Sequence, residues 1–442
     1  MAADIPPTTI SSSHFPPAEP IQSPPGEPQE SKPGRSRHDS IDLLRGIVMV
    51  IMMLDHTRDF VHSAALQFDP VDLSRTNVAL FLTRWITHFC APVFVFLAGT
   101  GAYLQLSRGK TKRELSRFLW TRGLWLVVIE FTVIRLVTFF NFDLRFLGVM
   151  QVIWVIGVSM IVLSALIHLP LKLVAVFGLG MIGLHNLLDG FRVESWRGPE
   201  SAVPGVGAKL WMILHQPFEA FPIVGFPSPI VFVVYPLIPW VGVMAVGYVF
   251  GSLYRESSTK RRKWLLLIGG LSTLLFFVVR AINIYGDPNH WSTQKNFVFT
   301  VLSFLNTTKY PPSLLFLLMT LGPAIAALAW FEARKPGSPP ASGFLGFRDA
   351  LITFGRVPLF FYVLQWPTAH TISILLHWAF GKPVAWLVQT PLDWFAAPPQ
   401  GVGFHLGVVY LAWIAGVLLL YPLCKWFAGV KQRRTDWWLS YL

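Results

Sequence analysis

Cysteine and charge are both scarce in this chain of 442 residues: there are 2 cysteines, and Asp, Glu, Lys and Arg together make up 13%. Cys90 and Cys424 each fall inside an apolar stretch, so a disulfide framework is not expected and packed thiols are the simpler reading. So little charge beside 53% hydrophobic residues excludes an ordinary soluble domain if the apolar residues are gathered in long runs. Several motifs are missing as well. No apolar core follows a basic start near the N-terminus, so no secretory signal is expected and the first membrane helix doubles as the insertion signal. No phosphate-cradling glycine loop, nucleophile elbow or RNA-binding motif stands out. No internal repeat of the kind that builds inverted-repeat transporters is evident.

What the chain does contain is a series of apolar segments. Crossing a hydrocarbon core of roughly 30 Å takes ~20 residues of helix. Segments of that length fall at 41–60, 79–106, 118–140, 146–168, 171–188, 229–252, 264–285, 312–332, 350–378 and 404–428. The pattern predicts an all-α, polytopic integral membrane bundle of about ten transmembrane helices. Residues 1–38, rich in proline, serine, glycine and glutamate, have no repeating apolar face and are expected to form a disordered cytoplasmic tail. Residues 39–442 form the membrane domain.

The basic residues orient this bundle. Arg108, Lys110, Lys112, Arg113 and Arg117 crowd the second connection, and Arg255, Lys260, Arg261, Arg262 and Lys263 the sixth. With ten helices these fall on one side together with Arg334, Lys335 and Arg348 of the eighth connection and Lys431, Arg433 and Arg434 of the tail. By the positive-inside rule that side is cytoplasmic, and both termini lie there. The net charge of +13 is then mostly topology. Anionic lipid headgroups are its partner, and nucleic acid is not expected. The reading places the protein in the inner (cytoplasmic) membrane as a multi-pass protein.

The first helix carries the most informative chemistry. Asp42 and Arg45 stand at its cytoplasmic end, and the nine apolar residues Gly46 to Leu54 separate Arg45 from the pair Asp55 and His56 at the far end. Along the axis Arg45 and His56 are ~16 Å apart. Ionisable groups at membrane depth usually face a protein cavity. Arg45 reads either as a topology-setting arginine paired with Asp42 or as a ligand for a negatively charged group. His56 reads either as an interfacial histidine bonded to Asp59 or Asp55, or as a general base, a role to which an unperturbed pKa of ~6.5 is suited. In the second helix, His88 lies ~13 Å below the outer surface, at a depth comparable with His56. Pro92 opens the helical ladder beside it. His88 is either a buried histidine satisfied by a neighbouring helix or part of the same site. Asp55, Asp59 and His62 follow helical spacing near these two histidines, but no strict ligand motif is present and no metal is expected.

Four stretches resemble a known family. Ser40-Ile-Asp-Leu-Leu-Arg-Gly-Ile47, with His56 eleven positions after Arg45, resembles the first helix of the heparan-alpha-glucosaminide N-acetyltransferase-like family. It is also similar to the wider transmembrane acyltransferases, including acyltransferase-3 O-acetylases, where an arginine, ten residues and a histidine recur. Ala91-Pro-Val-Phe-Val-Phe-Leu-Ala-Gly99 resembles a second-helix motif of the group. Gly355-Arg-Val-Pro-Leu-Phe-Phe-Tyr362 and Arg434-Thr-Asp-Trp-Trp-Leu-Ser-Tyr441 resemble motifs of its bacterial members. In the heparan acetyltransferase itself an asparagine matches His56, and the catalytic histidine lies in the first external loop, the neighbourhood of His62 here.

The resemblance implies transfer of an acyl group, acetyl in this family, from cytoplasmic acyl-CoA to a hydroxyl or amine of an extracytoplasmic glycan or envelope acceptor. His56, with Asp55 and His88, then forms the catalytic set. Arg45, Arg122 and Arg356, all within about two turns of the inner end, bind the phosphates of acyl-CoA, for which a guanidinium fork is suited; anchoring by the positive-inside rule is the alternative for Arg122 and Arg356. Acyl-CoA is the co-substrate, lipids and an external acceptor are the partners, and a homo-oligomer is compatible with the sequence. Direct transfer suits a chain with no obvious activated serine or cysteine. The competing reading is a small-solute transporter or channel built on the same intramembrane polar residues.

The topology is directly testable. Cysteines introduced at Gly109 and Ser258 should be shielded from a membrane-impermeant thiol reagent in intact cells, and one at Ser201 should be labelled. Equal labelling at Ser258 and Ser201 would refute the ten-helix arrangement.

Overall fold

The computed structural model describes Met1 and residues 38–65, 67–332, 344–396, 399–434 and 436–441. The proline-rich stretch 1–38, apart from its two ends, and the basic residues Arg334 and Lys335 lie outside them. The fold is an all-α membrane bundle with one small sheet. In chain order come α1 (Asp39–Val61), α2 (Val78–Thr87), α3 (Cys90–Ser107), α4 (Lys112–Ile129), a π-helical turn (Glu130–Ile134) and α5 (Arg135–Phe139). Strand β1 (Phe146–Met150) precedes α6 (Val152–Leu166) and α7 (Leu171–Leu184), which ends in a 3-10 turn, His185–Leu188. A surface layer follows, with α8 (Val206–Leu214), β2 (Glu219–Pro222) and β3 (Ile230–Val233). The bundle resumes with α9 (Trp240–Phe250), α10 (Ser258–Ile282), α11 (Phe297–Leu305), α12 (Leu314–Glu332), α13 (Phe344–Arg356), α14 (Pro358–Ala379), α15 (Pro391–Ala396) and α16 (Leu406–Arg433).

Among the described residues, six helical segments are long and apolar enough to cross a membrane: Val78–Ser107, Leu171–Leu188, Ser258–Ile282, Leu314–Glu332, Pro358–Ala379 and Leu406–Arg433. The other four expected spans are also helical but differ in character. The α1 helix carries Arg45, Asp55, Arg58 and Asp59, and the continuous helix from α4 through α5 carries Arg122, Glu130 and Arg135. The α6 helix has 15 residues and α9 has 11, because the first turns expected of each are strand. The apolar runs at 146 and 229 have no decisive helical period, and Gly148 at φ 153° together with the Pro227 and Pro229 pair breaks any helix there. Strand β3 pairs parallel with β1, opposing Val149 with Phe232, and antiparallel with β2, opposing Phe221 with Val231.

Two further breaks have local causes. The segment Val78–Ser107 is interrupted at His88 and Phe89, the turn whose carbonyls Pro92 cannot satisfy. The span expected at 350–378 is two helices, since Val357 before Pro358 sits outside the helical region, at φ −129° and ψ 49°.

Lipid-facing and core-facing surfaces are distinct. Leu173, Val176 and Leu179 of α7, Leu267, Leu271 and Leu274 of α10, and Leu411, Leu418 and Trp426 of α16 are exposed, the outward apolar surface a bilayer covers. The α1 helix has the opposite character: most of its residues are buried, and α2, α3, α12, α13, α14 and α16 pack around it. At one end this packing is closest. A Cβ on Gly46 would collide with the Leu351 carbonyl of α13, and one on Gly355 with the Asp42 carbonyl of α1. Two glycines thus let the α1 and α13 backbones touch.

This crossing tolerates no added volume. Gly355→Ala should destabilise the detergent-solubilised protein by about 1–3 kcal/mol, read as a lower thermal midpoint. Gly180→Ala on α7, where a Cβ meets nothing within 4 Å, should leave the midpoint unchanged or raise it slightly.

Candidate active site

Three of the four resemblance motifs meet near the α1–α13 crossing, and the terminal one packs on α4 beside Arg122. On α1, Arg45 donates to the Leu97 carbonyl of α3 at 3.2 Å, inside the second motif, and pairs with Asp42 at 3.3 Å. Arg356, from the third motif, pairs with Asp39 at 3.5 Å and approaches Asp42 at 4.0 Å. Tyr441, from the terminal motif, shares a 2.7 Å hydrogen bond with Thr121 of α4 and packs on Phe118. Arg122, the next residue, lies within electrostatic reach of both Arg45 and Tyr441. The three arginines expected to bind phosphate are therefore brought to one end of the bundle, with Asp42 shared by two of them. Nearby, Glu332 at the end of α12 accepts from Arg261 at 2.9 Å and from Ser40 at 3.3 Å. The start of α1, the start of α10 and the end of α12 consequently share this end, as the alternation of basic connections requires.

Toward the other end of α1 lies the second group. Asp55 is buried and pairs with Arg58 one turn on at 3.0 Å, with Arg84 of α2 at 2.5 Å, and with Lys309 of the segment before α12 at 4.0 Å. Arg58 also meets Asp59 at 2.5 Å. Such a group satisfies each charge only by holding all of them. Asp55 is directed at these cations and makes no hydrogen bond to His56 among the described residues. Its place in the expected catalytic set is as the anchor of the cations around the histidines.

His56 occupies a different surface of α1. Its ring stacks on Trp366 of α14 with centroids 3.9 Å apart and meets the edge of Tyr362 at 6.3 Å. Its buried Nδ1 has no hydrogen-bond partner among the described residues. His88, at the break between α2 and α3, is also buried, lies against Phe316 of α12, and has an unpartnered Nδ1. Lys309, Arg58 and Asp55 act electrostatically on both imidazoles. His62 stands just beyond α1, where it pairs with Phe404 in a single parallel bridge and its Nδ1 accepts from the Ala64 N–H at 3.1 Å. Burial, with Arg58 alongside, holds its imidazole below the ordinary value.

Residues 37–285 match the family of the heparan-alpha-glucosaminide N-acetyltransferase catalytic domain. The chain belongs to that family. It is a multi-pass membrane protein of acetyltransferase type. No curated protein matches the chain. The matched portion runs from the start of α1 to just past α10 and contains Arg45, Asp55, His56 and His88. Lys309, Arg356, Tyr362 and Trp366 come from the remainder, so the site is assembled from both portions.

Several other polar residues of the bundle and its connections have architectural roles. The carboxylate of Glu130 accepts from the Trp154 N–H at 2.8 Å, capping α6 from a neighbouring helix. Arg135 donates to the carbonyls of Asn141, Asp143 and Phe146. Arg280 is buried and donates to the carbonyls of Phe304, Asn289, Ser303 and Asn306. His370 is held between Phe60 and Phe140. The indoles of Trp211, Trp291 and Trp394 each donate to a backbone carbonyl. Gln365 is fully buried with both ends of its amide unpartnered among the described residues, one residue from the Trp366 that carries His56.

Sequence reasoning missed Arg58, Arg84, Lys309 and Trp366. The three-residue spacing of Asp55 and Arg58 was a usable signal. Lys309 gave none, being a lone lysine in a connection.

Asp55 and His56 should separate in stability. Asp55→Asn leaves Arg58, Arg84 and Lys309 without their shared counter-charge and should cost about 3–5 kcal/mol. His56→Ala leaves every ion pair in place and should lower the thermal midpoint clearly less.

Proposed function

We propose that the protein transfers an acetyl group from cytoplasmic acetyl-CoA to a hydroxyl or amine of an extracytoplasmic glycan or envelope acceptor, with His56 as general base. The observation that carries the reading is the state of His56. On a helix whose charged residues have partners, this one imidazole is fixed by stacking on Trp366 and retains a buried, unpartnered nitrogen. A positioned base with an unused lone pair is what proton removal from an acceptor requires.

The two ends of α1 divide the labour. On this reading Arg45, Arg122 and Arg356 hold the CoA phosphates at the cytoplasmic end, where arginines outnumber the carboxylates Asp39 and Asp42 that pair with them. The pantetheine arm runs along α1 towards His56. Met49, Met52 and Met53 are buried on α1 between these levels, and unbranched thioethers yield to an incoming chain more readily than branched side chains do. His56 removes the acceptor proton as the acceptor oxygen or nitrogen bonds to the thioester carbon. The carbonyl oxygen becomes an oxyanion facing the cationic group of Lys309, Arg58 and Arg84, whose positive charge stabilises it. Collapse restores the carbonyl, breaks the C–S bond, and expels the CoA thiolate, which receives the proton. No acyl-enzyme is needed. His88 at the same cationic group helps to position the acceptor. On this reading the chemistry lies in the inner membrane with the acceptor outside, an orientation that the basic connections support.

Two variants test the division. His56→Ala should fold and bind CoA while turnover falls by ~10²–10⁴. Arg45→Gln should weaken CoA binding by about one to two powers of ten, the loss of a contact of ~1.5–3 kcal/mol. Isothermal titration with CoA beside an acetyl-transfer assay on extracted envelope glycans reads both. Full activity of His56→Ala would remove the base assignment. Absence of CoA binding by the wild type, with solute flux in vesicles, would instead establish the transporter reading.

A further inference from the structure

A second cluster lies apart from this site, beyond the end of α7 opposite the basic connections. His185 opens the 3-10 turn that ends α7, Asp189 follows that turn, and His215 closes α8. His185 and Asp189 are neighbours on one turn, whereas His215 lies far along the sequence, and the surface layer folds back to bring it to them. His185 Nδ1 is 3.4 Å from His215 Nε2, His215 Nε2 is 3.7 Å from Asp189 Oδ1, and the three ligand atoms all lie within 4.8 Å of one another. Both imidazoles are buried, at 2% and 4% exposure, whereas an imidazole serving only solubility would stay at the surface.

We propose that His185, Asp189 and His215 bind one divalent transition-metal ion, zinc by preference. Zinc held at about 2.0–2.1 Å by nitrogen and oxygen ligands places neighbouring ligand atoms about 3.3 Å apart in a tetrahedron. Two sides of the observed triangle are close to that value, and the third closes with a small movement of the Asp189 side chain. A hydrogen bond between the imidazoles accounts for only one side. It leaves the carboxylate 3.7 Å from the same nitrogen, beyond hydrogen-bond reach, so three lone-pair atoms converge where at most one proton fits between two of them.

The surroundings hold the ligands in this orientation. Asn186 donates to Asp189 Oδ2 at 2.8 Å, turning Oδ1 to His215, and its own carbonyl accepts from the Leu314 N–H at 3.0 Å. The Pro312 carbonyl lies beside the His185 imidazole, and Trp211 stacks on His215 with centroids 5.5 Å apart. Metal-binding histidines are typically steadied by such outer contacts. Two imidazoles with one carboxylate suit zinc better than calcium or magnesium, which prefer all-oxygen sites. Three protein ligands leave a fourth position for water. Bound there, the ion ties the end of α7 to the end of α8.

The test uses the full-length protein in detergent, stripped with EDTA and dialysed against zinc or cobalt(II). About one zinc per chain by elemental analysis is expected, with the visible d–d absorption of four-coordinate cobalt. Zinc should also raise the thermal midpoint of the wild type. Asp189→Asn, which keeps the shape and the Asn186 contact, and His215→Gln should each weaken zinc binding at least about tenfold and abolish the thermal shift, and Asn186→Ala should weaken it by about 10–100-fold. A wild-type protein that retains no zinc and shows no cobalt spectrum overturns the proposal without recourse to variants. Variants that bind zinc as the wild type does overturn it equally, since the ion would then sit elsewhere.

Discussion

The structure depends on how one buried carboxylate, Asp55, is compensated. A charge on a central helix of a membrane bundle is expensive unless its partners are brought to it. Here they come from the next turn of α1, from α2 and from the connection before α12. Those segments therefore cannot be placed independently. The ends of α1, α2 and α12 are held in one arrangement by these ion pairs in addition to their apolar packing. The same requirement explains why α1 is less apolar than α2, α3, α12, α14 and α16 around it. Its charges make it a poor membrane span when judged by composition, yet it occupies the middle of the fold.

At the opposite end the constraint is steric. Gly46 and Gly355 let α1 and α13 approach until backbone meets backbone, and the residues adjacent to those glycines are Arg45 and Arg356. Close approach is thus what brings two arginines to one carboxylate, Asp42. The glycine and the arginine in each motif act together, one setting the backbone distance and the other using it. Gly99 and Gly247 do the same for α3 and α9, since a Cβ on either would strike the other helix's backbone. The Leu97 carbonyl that receives Arg45 is held in place by that second crossing.

How far this was legible in the sequence follows from whether the relevant contacts are local. The Arg45 to His56 separation lies on a single helix, so counting residues was enough. Pro92 announced the break beside His88 because proline acts on its own backbone. The α13–α14 division was equally local, at Val357 and Pro358, but the apolar run across it concealed it. Strands β1 and β3 were not legible, because short apolar runs without a clear period suit a helix as well as a strand. Non-local pairing was the least accessible. Nothing in the spacing of His185 and His215 relates them, since a surface layer of irregular length folds between them. Nor does Lys309 announce that it faces Asp55. Nor does the sequence show that Glu130 and Arg135, both on one helix, are each taken by backbone groups rather than by another charge.

The two ends of α1 are therefore different in kind and rigidly related. An α-helix of this length does not stretch, so the ~16 Å between Arg45 and His56 is a fixed dimension of the protein. Neither group can be moved relative to the other without breaking α1, and each is fixed to other helices, Arg45 through Leu97 and Asp42, His56 through Trp366. Motion that admits a ligand must then come from the helices around α1. Of these, α14 has the most direct bearing, because it carries Trp366 and Tyr362 against His56 and begins at the Val357 break rather than continuing α13. A small rotation of α14 about that break would unstack Trp366 and open the unpartnered Nδ1 of His56 while leaving the Asp55 ion pairs, which involve no residue of α14, intact. With His56 as the proposed base, reactivity and stability would rest on different neighbours of one helix, and each could change without forcing a change in the other.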